Sequence, residues 1–170
     1  MTPSPVNIYW SLYKHDEWRF YLAATDSGLC CMTLPNESFE TLELWVKKHI
    51  VGAVMLYDKS KLEPYVRQLA EYFGGNRREF TCPLDLRGTP FQVRVWHELL
   101  LIPFGKIKSY SEIAAGIGHS TAVRAVGAAN GANPIPIVVP CHRVIGKDGR
   151  LNGYRGGIDM KADLLALEGL

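Results

Sequence analysis

The most informative stretch of the sequence is NPIPIVVPCHRVI, residues 133–145. Its three prolines fix φ at three positions, and its apolar β-branched residues favour burial, so we expect a stiff, buried segment. Cys141 lies on this segment and would lose little conformational entropy when a substrate arrives. A thiol that is held in place in advance suggests a nucleophile.

The residue that follows Cys141 is His142, and a neighbouring imidazole is the usual group that takes the proton from a catalytic thiol. Because adjacent side chains generally point apart, we expect the proton to pass through one ordered water. Glu168, near the end of a helix predicted over residues 161–168, is the carboxylate expected to orient His142. The residues alone leave open an inert, buried cysteine beside a surface histidine.

Helix-start signals lie upstream of this segment. The sequence TPFQ at residues 89–92 has the Thr, Pro and Gln of a capped helix start, and predicts a helix from Pro90 to about residue 101. SYSE at residues 109–112 predicts a second helix through residue 117. After a glycine-containing turn, a third helix is predicted over residues 121–130, so that the last two helices form a helix-turn-helix candidate. Such helix pairs also occur in many proteins that do not bind DNA.

The last of these helices contains almost only small residues, and Arg124 is its one long cation. Small side chains permit the close approach of another backbone, which could be a packed helix or the floor of a nucleic-acid groove. Because side chains that could read base edges are scarce, such a helix would read the shape and backbone of DNA rather than its sequence.

The first half of the chain predicts a different structure, and we place the domain boundary near Arg87. Residues 1–86 are expected to form a small α+β domain with an antiparallel sheet, and residues 87–170 a mostly helical domain with the helix-turn-helix. No chemistry is evident in the first domain, whose aromatic residues suit a core. Strands are predicted over residues 8–13, 18–24, 29–34 and 51–57, and helices over residues 37–50 and 62–73.

Composition excludes several classes of protein. The chain has 170 residues, of which 47% are hydrophobic and 21% charged, which is typical of a globular protein rather than a disordered, collagen-like or membrane protein. No signal peptide is evident at the N-terminus, so we expect a cytoplasmic protein.

Residues 87–170 carry 10 Lys and Arg against 6 Asp and Glu, a surplus that permits a polyanionic partner. Four cysteines without a C-x-x-C pair predict neither a disulfide framework nor a zinc site; they are Cys30, Cys31, Cys82 and Cys141.

Four motifs together identify a family. PCHRV at residues 140–144, with NP at 133–134, SY at 109–110 and RAVG at 124–127, closely resembles the 6-O-alkylguanine-DNA alkyltransferases. The resemblance covers residues 85–168, whereas residues 1–84 match only in their α+β character. It implies direct-reversal DNA repair, in which the alkyl group of 6-O-alkylguanine, and by extension of 4-O-alkylthymine, moves to the protein's own cysteine. It also implies one reaction per molecule, double-stranded DNA as partner, minor-groove binding, a flipped base, a monomer and no cofactor.

The resemblance also implies roles for individual residues. Cys141 would accept the alkyl group, His142 would act as the base through water, and Glu168 would orient His142. Asn133 would brace the active-site segment, and Tyr110 would help to rotate the target phosphate and donate toward guanine N3. The expected DNA contacts are Arg124, which enters the base stack, with Tyr110, Thr121, Ala125 and Ala129. The expected pocket residues are Pro136, Tyr154, Arg155 and Val144, whose carbonyl would accept from the guanine amine.

The sequence departs from the family pattern at Arg155, where some relatives carry a small residue, so the range of alkyl groups accepted stays open. The structural zinc of some relatives is not expected here, nor is the additional phosphotriester-repair and transcription-activating domain of fused relatives. The protein is expected to meet DNA in the nucleoid, away from membranes.

Two other functions compete with this interpretation. A helix-turn-helix regulator or lesion sensor would bind DNA and leave Cys141 unmodified. A cysteine hydrolase that used Cys141, His142 and Glu168 would turn over repeatedly, although no oxyanion site is readable in the sequence.

Overall fold

The computed structural model describes residues 4–170 of the chain. These residues form two compact units, the first ending at Arg87 and the second beginning at Gly88. Residues 1–3, the start of the segment in which no signal peptide was expected, lie outside the described residues. Within residues 4–170, none of the helices has the length and apolar character needed to cross a membrane.

The first unit contains a four-stranded sheet in the order β3-β2-β1-β4. Strands β1 (Val6–His15), β2 (Trp18–Thr25) and β3 (Gly28–Met32) pair as antiparallel neighbours, as expected. Strand β4 (Ala53–Tyr57) instead pairs parallel to β1. Helix α1 (Phe39–His49) forms the crossover that brings the chain from β3 back to the edge of the sheet beside β1. The sheet is therefore mixed rather than purely antiparallel.

Helices cover this sheet and complete an apolar core. Helix α1 packs Leu42 and Val46 against buried Ile8 and Ala23 of the strands. Helix α2 (Lys59–Phe73) contributes Phe73, which stacks on Phe20 at 5.6 Å between ring centroids. The expected core role of the aromatic residues is confirmed. Helix α2 begins earlier than predicted because the Asp58 side chain caps it by accepting from the Lys61 backbone N–H at 3.1 Å.

The second unit is mostly helical, and the α+β class is confirmed. The predicted helix-start signals form: Thr89 and Gln92 make a capping box at α3, and Ser109 and Glu112 make another at α4. Trp96 of α3 is buried and donates from Nε1 to the Ala129 carbonyl at 2.8 Å, which ties α3 to α5. The helices are α3 (Pro90–Leu100), α4 (Tyr110–Gly116), α5 (Val123–Gly131) and α6 (Ile158–Leu167), and a short parallel pair joins β5 (Lys108–Ser109) to β6 (Val144–Ile145).

Candidate functional site

The segment from residue 133 to residue 144 is buried along its whole length. It ends in a single 3₁₀ turn, Cys141–Arg143, that leads directly into β6. Within it, Ile137 has a φ of 75°, a left-handed conformation that costs a β-branched residue about 1–3 kcal/mol. The Val139 N–H donates to the Ile135 carbonyl at 2.9 Å and closes the loop around this strained residue. The segment is thus shaped by a hydrogen bond of its own backbone as well as by its prolines.

Asn133 braces the segment from inside. Its side chain is fully buried, donates from Nδ2 to the Val139 carbonyl at 2.8 Å, and accepts the Ile135 N–H on Oδ1 at 3.0 Å. The bond to Val139 spans the strained turn at Ile137, and the bond from Ile135 holds the chain just before it. The side chain also hydrogen-bonds Cys141 and thereby lowers the pKa of that thiol.

Cys141 lies inside the unit, with 5% of its surface exposed. Burial raises the pKa of the thiol, and this effect outweighs the lowering by Asn133 and by the positive charges of Arg155 and Lys161. The resting group is therefore a thiol rather than a thiolate near neutral pH. It needs a base before it can act as a nucleophile.

His142 and Glu168 meet as expected from the sequence, at 2.7 Å between Nε2 and Oε2, and both side chains are fully buried. The carboxylate also accepts from Arg143, at 2.7 Å from Nε to Oε1 and 3.1 Å from Nη2 to Oε2. A further bond comes from the Gly105 N–H at 3.1 Å. This set of donors satisfies both oxygens of the Glu168 carboxylate.

The contact with Glu168 determines the state of the imidazole. Because Nε2 faces a carboxylate, it carries the proton, which leaves Nδ1 as a bare acceptor. Burial lowers the pKa of His142 and outweighs the raising effect of Glu168, so that the ring is neutral near pH 7. Nδ1 is buried, and no hydrogen-bond partner for it exists among residues 4–170. The ring thus offers an unused proton acceptor within the same 3₁₀ turn as Cys141.

The helix-turn-helix is present in α4 and α5, joined by a turn in which Gly118 has a φ of 77°. Tyr110, the first residue of α4, is half-buried. Burial, and to a lesser extent the charge of Cys141, raises the pKa of its phenol. Thr121, Arg124 and Ala125 are exposed. Ala129 is different: it is only 2% exposed and its carbonyl accepts from Trp96, so we leave it out of the proposed DNA contacts as a core residue.

The four expected pocket residues lie on two segments. Pro136 and Val144 are buried parts of the active-site segment, and Tyr154 is half-buried in the loop before α6. The Val144 carbonyl already accepts from Lys161 at 2.6 Å, so a guanine amine would share this acceptor. Arg155 donates from Nη1 to the Gly131 and Asn133 carbonyls at 3.0 and 2.8 Å. This guanidinium joins the loop to the C-terminal end of α5, where a positive charge is favourable.

Comparison with known proteins assigns the family. Residues 8–86 match the family model of the 6-O-methylguanine DNA methyltransferase ribonuclease-like domain, and residues 90–170 match that of the DNA binding domain. The chain is 49% identical to the inducible methylated-DNA–protein-cysteine methyltransferase of Bacillus subtilis over 99% of its own length and 94% of the relative's. The chain belongs to this methyltransferase family.

Solved structures of family members support the assignment. The crystal structure of the Mycobacterium tuberculosis O6-methylguanine methyltransferase has a TM-score of 0.82 and 43% identity, and the match covers 95% of this chain and 92% of that one. The Mycobacterium tuberculosis protein in complex with DNA gives a TM-score of 0.81 at 43% identity, over 96% and 92% of the two chains.

Two residues of this methyltransferase site were missed in the sequence. Arg143 lies within the PCHRV motif, and the motif alone indicates no role for it, although it holds Glu168 with two hydrogen bonds. Lys161 is fully buried in α6. Its spacing from Leu164 and Leu165 places it on the apolar face of that helix, a signal that was available in the sequence.

The absence of zinc stays a prediction for this family member. In the part of the chain that the structure describes, no three His, Cys, Asp or Glu side chains are grouped so that they could hold a metal ion.

Proposed function

We propose that this protein repairs DNA by moving the alkyl group of 6-O-alkylguanine onto Sγ of Cys141, once per molecule. The observation that carries the proposal is the buried array of Cys141, His142 and Glu168 in a chain that belongs to the methylated-DNA–protein-cysteine methyltransferase family. 6-O-Methylguanine is the first proposed substrate, and 4-O-alkylthymine is the second.

The proposed reaction begins with removal of the thiol proton. The bare Nδ1 of His142 takes this proton through one water, and Glu168 stabilises the imidazolium that forms. The thiolate of Cys141 then attacks the alkyl carbon, the carbon–oxygen bond breaks, and its electron pair stays on the guanine while Tyr110 donates toward N3. A thioether remains on the protein. Because no group in the site can cleave a thioether, each molecule acts once.

Double-stranded DNA is the proposed partner, bound through the minor groove by α4 and α5. The alkylated oxygen lies inside the base stack, so the base must leave the helix before Cys141 can reach it. Exposed Arg124 fills the gap, and Thr121 and Ala125 allow the backbones to approach closely. The solved complex of the Mycobacterium tuberculosis relative with DNA supports this partner.

The two units carry different parts of this function in our proposal. Residues 87–170 form the DNA-binding and alkyl-acceptor domain, and residues 1–86 form a separate α+β domain. We further propose a monomer that acts in the cytoplasm and needs neither metal nor cofactor.

The test is the intact mass of the protein after incubation with a duplex that contains one 6-O-methylguanine. We expect the gain of one methyl group, mapped to Cys141, with the damaged duplex only and not in Cys141→Ser. Binding to the duplex with an unchanged mass would instead indicate a lesion sensor. Release of more than one product per protein molecule would indicate a hydrolase.

Replacing Arg124 by alanine is expected to slow repair of duplex DNA by about 10- to 100-fold, because the flipped base loses the group that fills its place. The reaction with the free base 6-O-methylguanine requires no flipping and should keep its rate. Single-turnover kinetics with both substrates measure the difference. The matched control is Arg19→Ala, which removes an exposed arginine of the first unit and should leave both rates unchanged. Equal slowing of both substrates would contradict the assigned role.

A further inference from the structure

Arg143 lies in the same 3₁₀ turn as Cys141 and His142, is only 6% exposed, and has no part in the proposed reaction. Its guanidinium makes a fork with the Glu168 carboxylate, at 2.7 Å from Nε to Oε1 and 3.1 Å from Nη2 to Oε2. A third bond, from Nη1 to the Ile102 carbonyl at 2.7 Å, fixes the plane of the group. Because arginine is not deprotonated in proteins, the fork places a permanent positive charge against this carboxylate.

The same carboxylate contacts the base of the site. Glu168 Oε2 lies 2.7 Å from His142 Nε2, and both side chains are fully buried. A buried carboxylate needs a positive partner, because an uncompensated charge away from water is costly. If the imidazole were the only candidate, it would take up a proton and form the ion pair itself. Its Nδ1, the acceptor that the reaction needs, would then already carry a hydrogen.

The charged groups that act on His142 come from its own turn, from α6 and from Glu168, which directly follows α6. Burial lowers the pKa of His142 most, and Glu168 raises it. The positive charges of Arg143 and Lys161 lower it as well. The Lys161 ammonium donates to two backbone carbonyls, whereas the Arg143 guanidinium bonds directly to the carboxylate. Arg143 is therefore the cation placed to balance Glu168.

We propose that Arg143 is a positioning residue that keeps His142 in its base form: its guanidinium balances the Glu168 carboxylate, so that the imidazole does not have to. The inference rests on the proposed function and deepens it by assigning what keeps the proton acceptor free before the reaction starts. Arg143 neither gives nor takes a proton, and the thiol proton still goes to Nδ1 of His142. The arrangement makes the imidazole a weaker base that is available at neutral pH, instead of a stronger base that is already protonated.

The test follows the protonation of the His142 ring by NMR, without DNA, in protein that contains ¹³C-labelled histidine. The chain has five histidines, and the signal that is lost in His142→Gln identifies the right one. In Arg143→Met, which removes the charge, we expect the titration midpoint of His142 to rise by about one pH unit or more. Arg143→Lys keeps the charge and should reverse most of this rise. The matched control is Arg67→Met, which removes an exposed arginine that pairs with Glu63 at 3.3 Å and should not move the midpoint.

An unchanged midpoint in folded Arg143→Met would overturn the proposal, because a residue with a purely structural role would leave the protonation of the ring as it is. Circular dichroism checks folding. The double variant Arg143→Met/Glu168→Gln removes both charges, and its midpoint should return to within about half a pH unit of wild type. A midpoint that stays raised would show that the guanidinium does not act through Glu168, and would also overturn the proposal.

If Arg143→Met does not fold, Glu168→Gln takes its place in the comparison. It leaves the guanidinium unopposed beside the ring, so its midpoint should lie about one pH unit or more below that of the double variant. Equal midpoints would overturn the proposal.

Methyl transfer from a duplex with one 6-O-methylguanine supplies a second readout. The low-pH limb of the rate profile of Arg143→Met should move to higher pH together with the ring midpoint, and a loss of rate that is equal at every pH would contradict the proposal. Because the ring titration needs neither DNA nor alkyl transfer, failure of DNA repair and failure of this proposal give different results.

Discussion

Replacement of Glu168 by alanine is expected to lower the free energy of unfolding by about 3–5 kcal/mol. Glu168 accepts hydrogen bonds from His142, Arg143 and the Gly105 N–H, and all of these bonds are lost together. Arg143 is only 6% exposed and would keep a buried charge without its counter-charge. Urea denaturation at constant pH measures the change. The same variant should be slow in alkyl transfer, since His142 loses the group that orients it.

Two variants make this expectation specific. Glu168→Gln keeps the size of the side chain but removes its charge, and should recover part of the stability and little of the activity. Glu63→Ala removes an exposed carboxylate that pairs with Arg67 at 3.3 Å, and should cost less than about 1 kcal/mol. A loss for Glu168→Ala no larger than that for Glu63→Ala would show that the buried array contributes nothing to stability.

Replacement of Asn133 by alanine is expected to slow methyl transfer by on the order of 100-fold and to cost about 2–4 kcal/mol of stability. The Ile135 N–H would lose its partner, and the Val139 carbonyl, next to the turn at the strained Ile137, would keep only its bond from the Cys141 N–H. The Asn133 hydrogen bond lowers the pKa of Cys141, so its removal raises that pKa further. Rates measured against pH, together with urea denaturation, separate the two effects.

The isosteric variant Asn133→Asp is the matched comparison. It keeps the acceptor for Ile135 but replaces the donor to Val139 with a negative charge beside the thiolate. We expect its methyl transfer at neutral pH to be slower than that of Asn133→Ala, even if its stability is higher. Rates of both variants equal to wild type would remove Asn133 from the mechanism.

Much of the local structure follows from short sequence signals. The capping boxes at Thr89 and Ser109 set the starts of α3 and α4, because a cap satisfies backbone groups within one turn of the chain. The expected contact between His142 and Glu168 is also present, although 26 residues separate them. That contact came from the motif and the demands of thiol chemistry, since spacing alone could not show that the two side chains meet.

Other features depended on contacts between distant segments. Strand β4 pairs parallel to β1 because of the path that α1 takes, which no local pattern of the strand records. The small residues of α5 suggest that Ala129 faces DNA, but Ala129 is buried and its carbonyl accepts from Trp96 Nε1. In both cases the local sequence is compatible with either outcome, and tertiary packing selects one of them.

Periodicity, caps and prolines act over a few residues, so the α+β class, the helix-turn-helix and the active-site segment with Cys141 and His142 could be predicted from the sequence. Folding alone brings Arg143 to Glu168, holds Ile137 in a strained conformation and buries the Lys161 ammonium against the Val144 carbonyl. Burial explains this difference. A charged group removed from water needs an opposite charge or a hydrogen-bonding group beside it, and that group usually comes from a distant part of the chain.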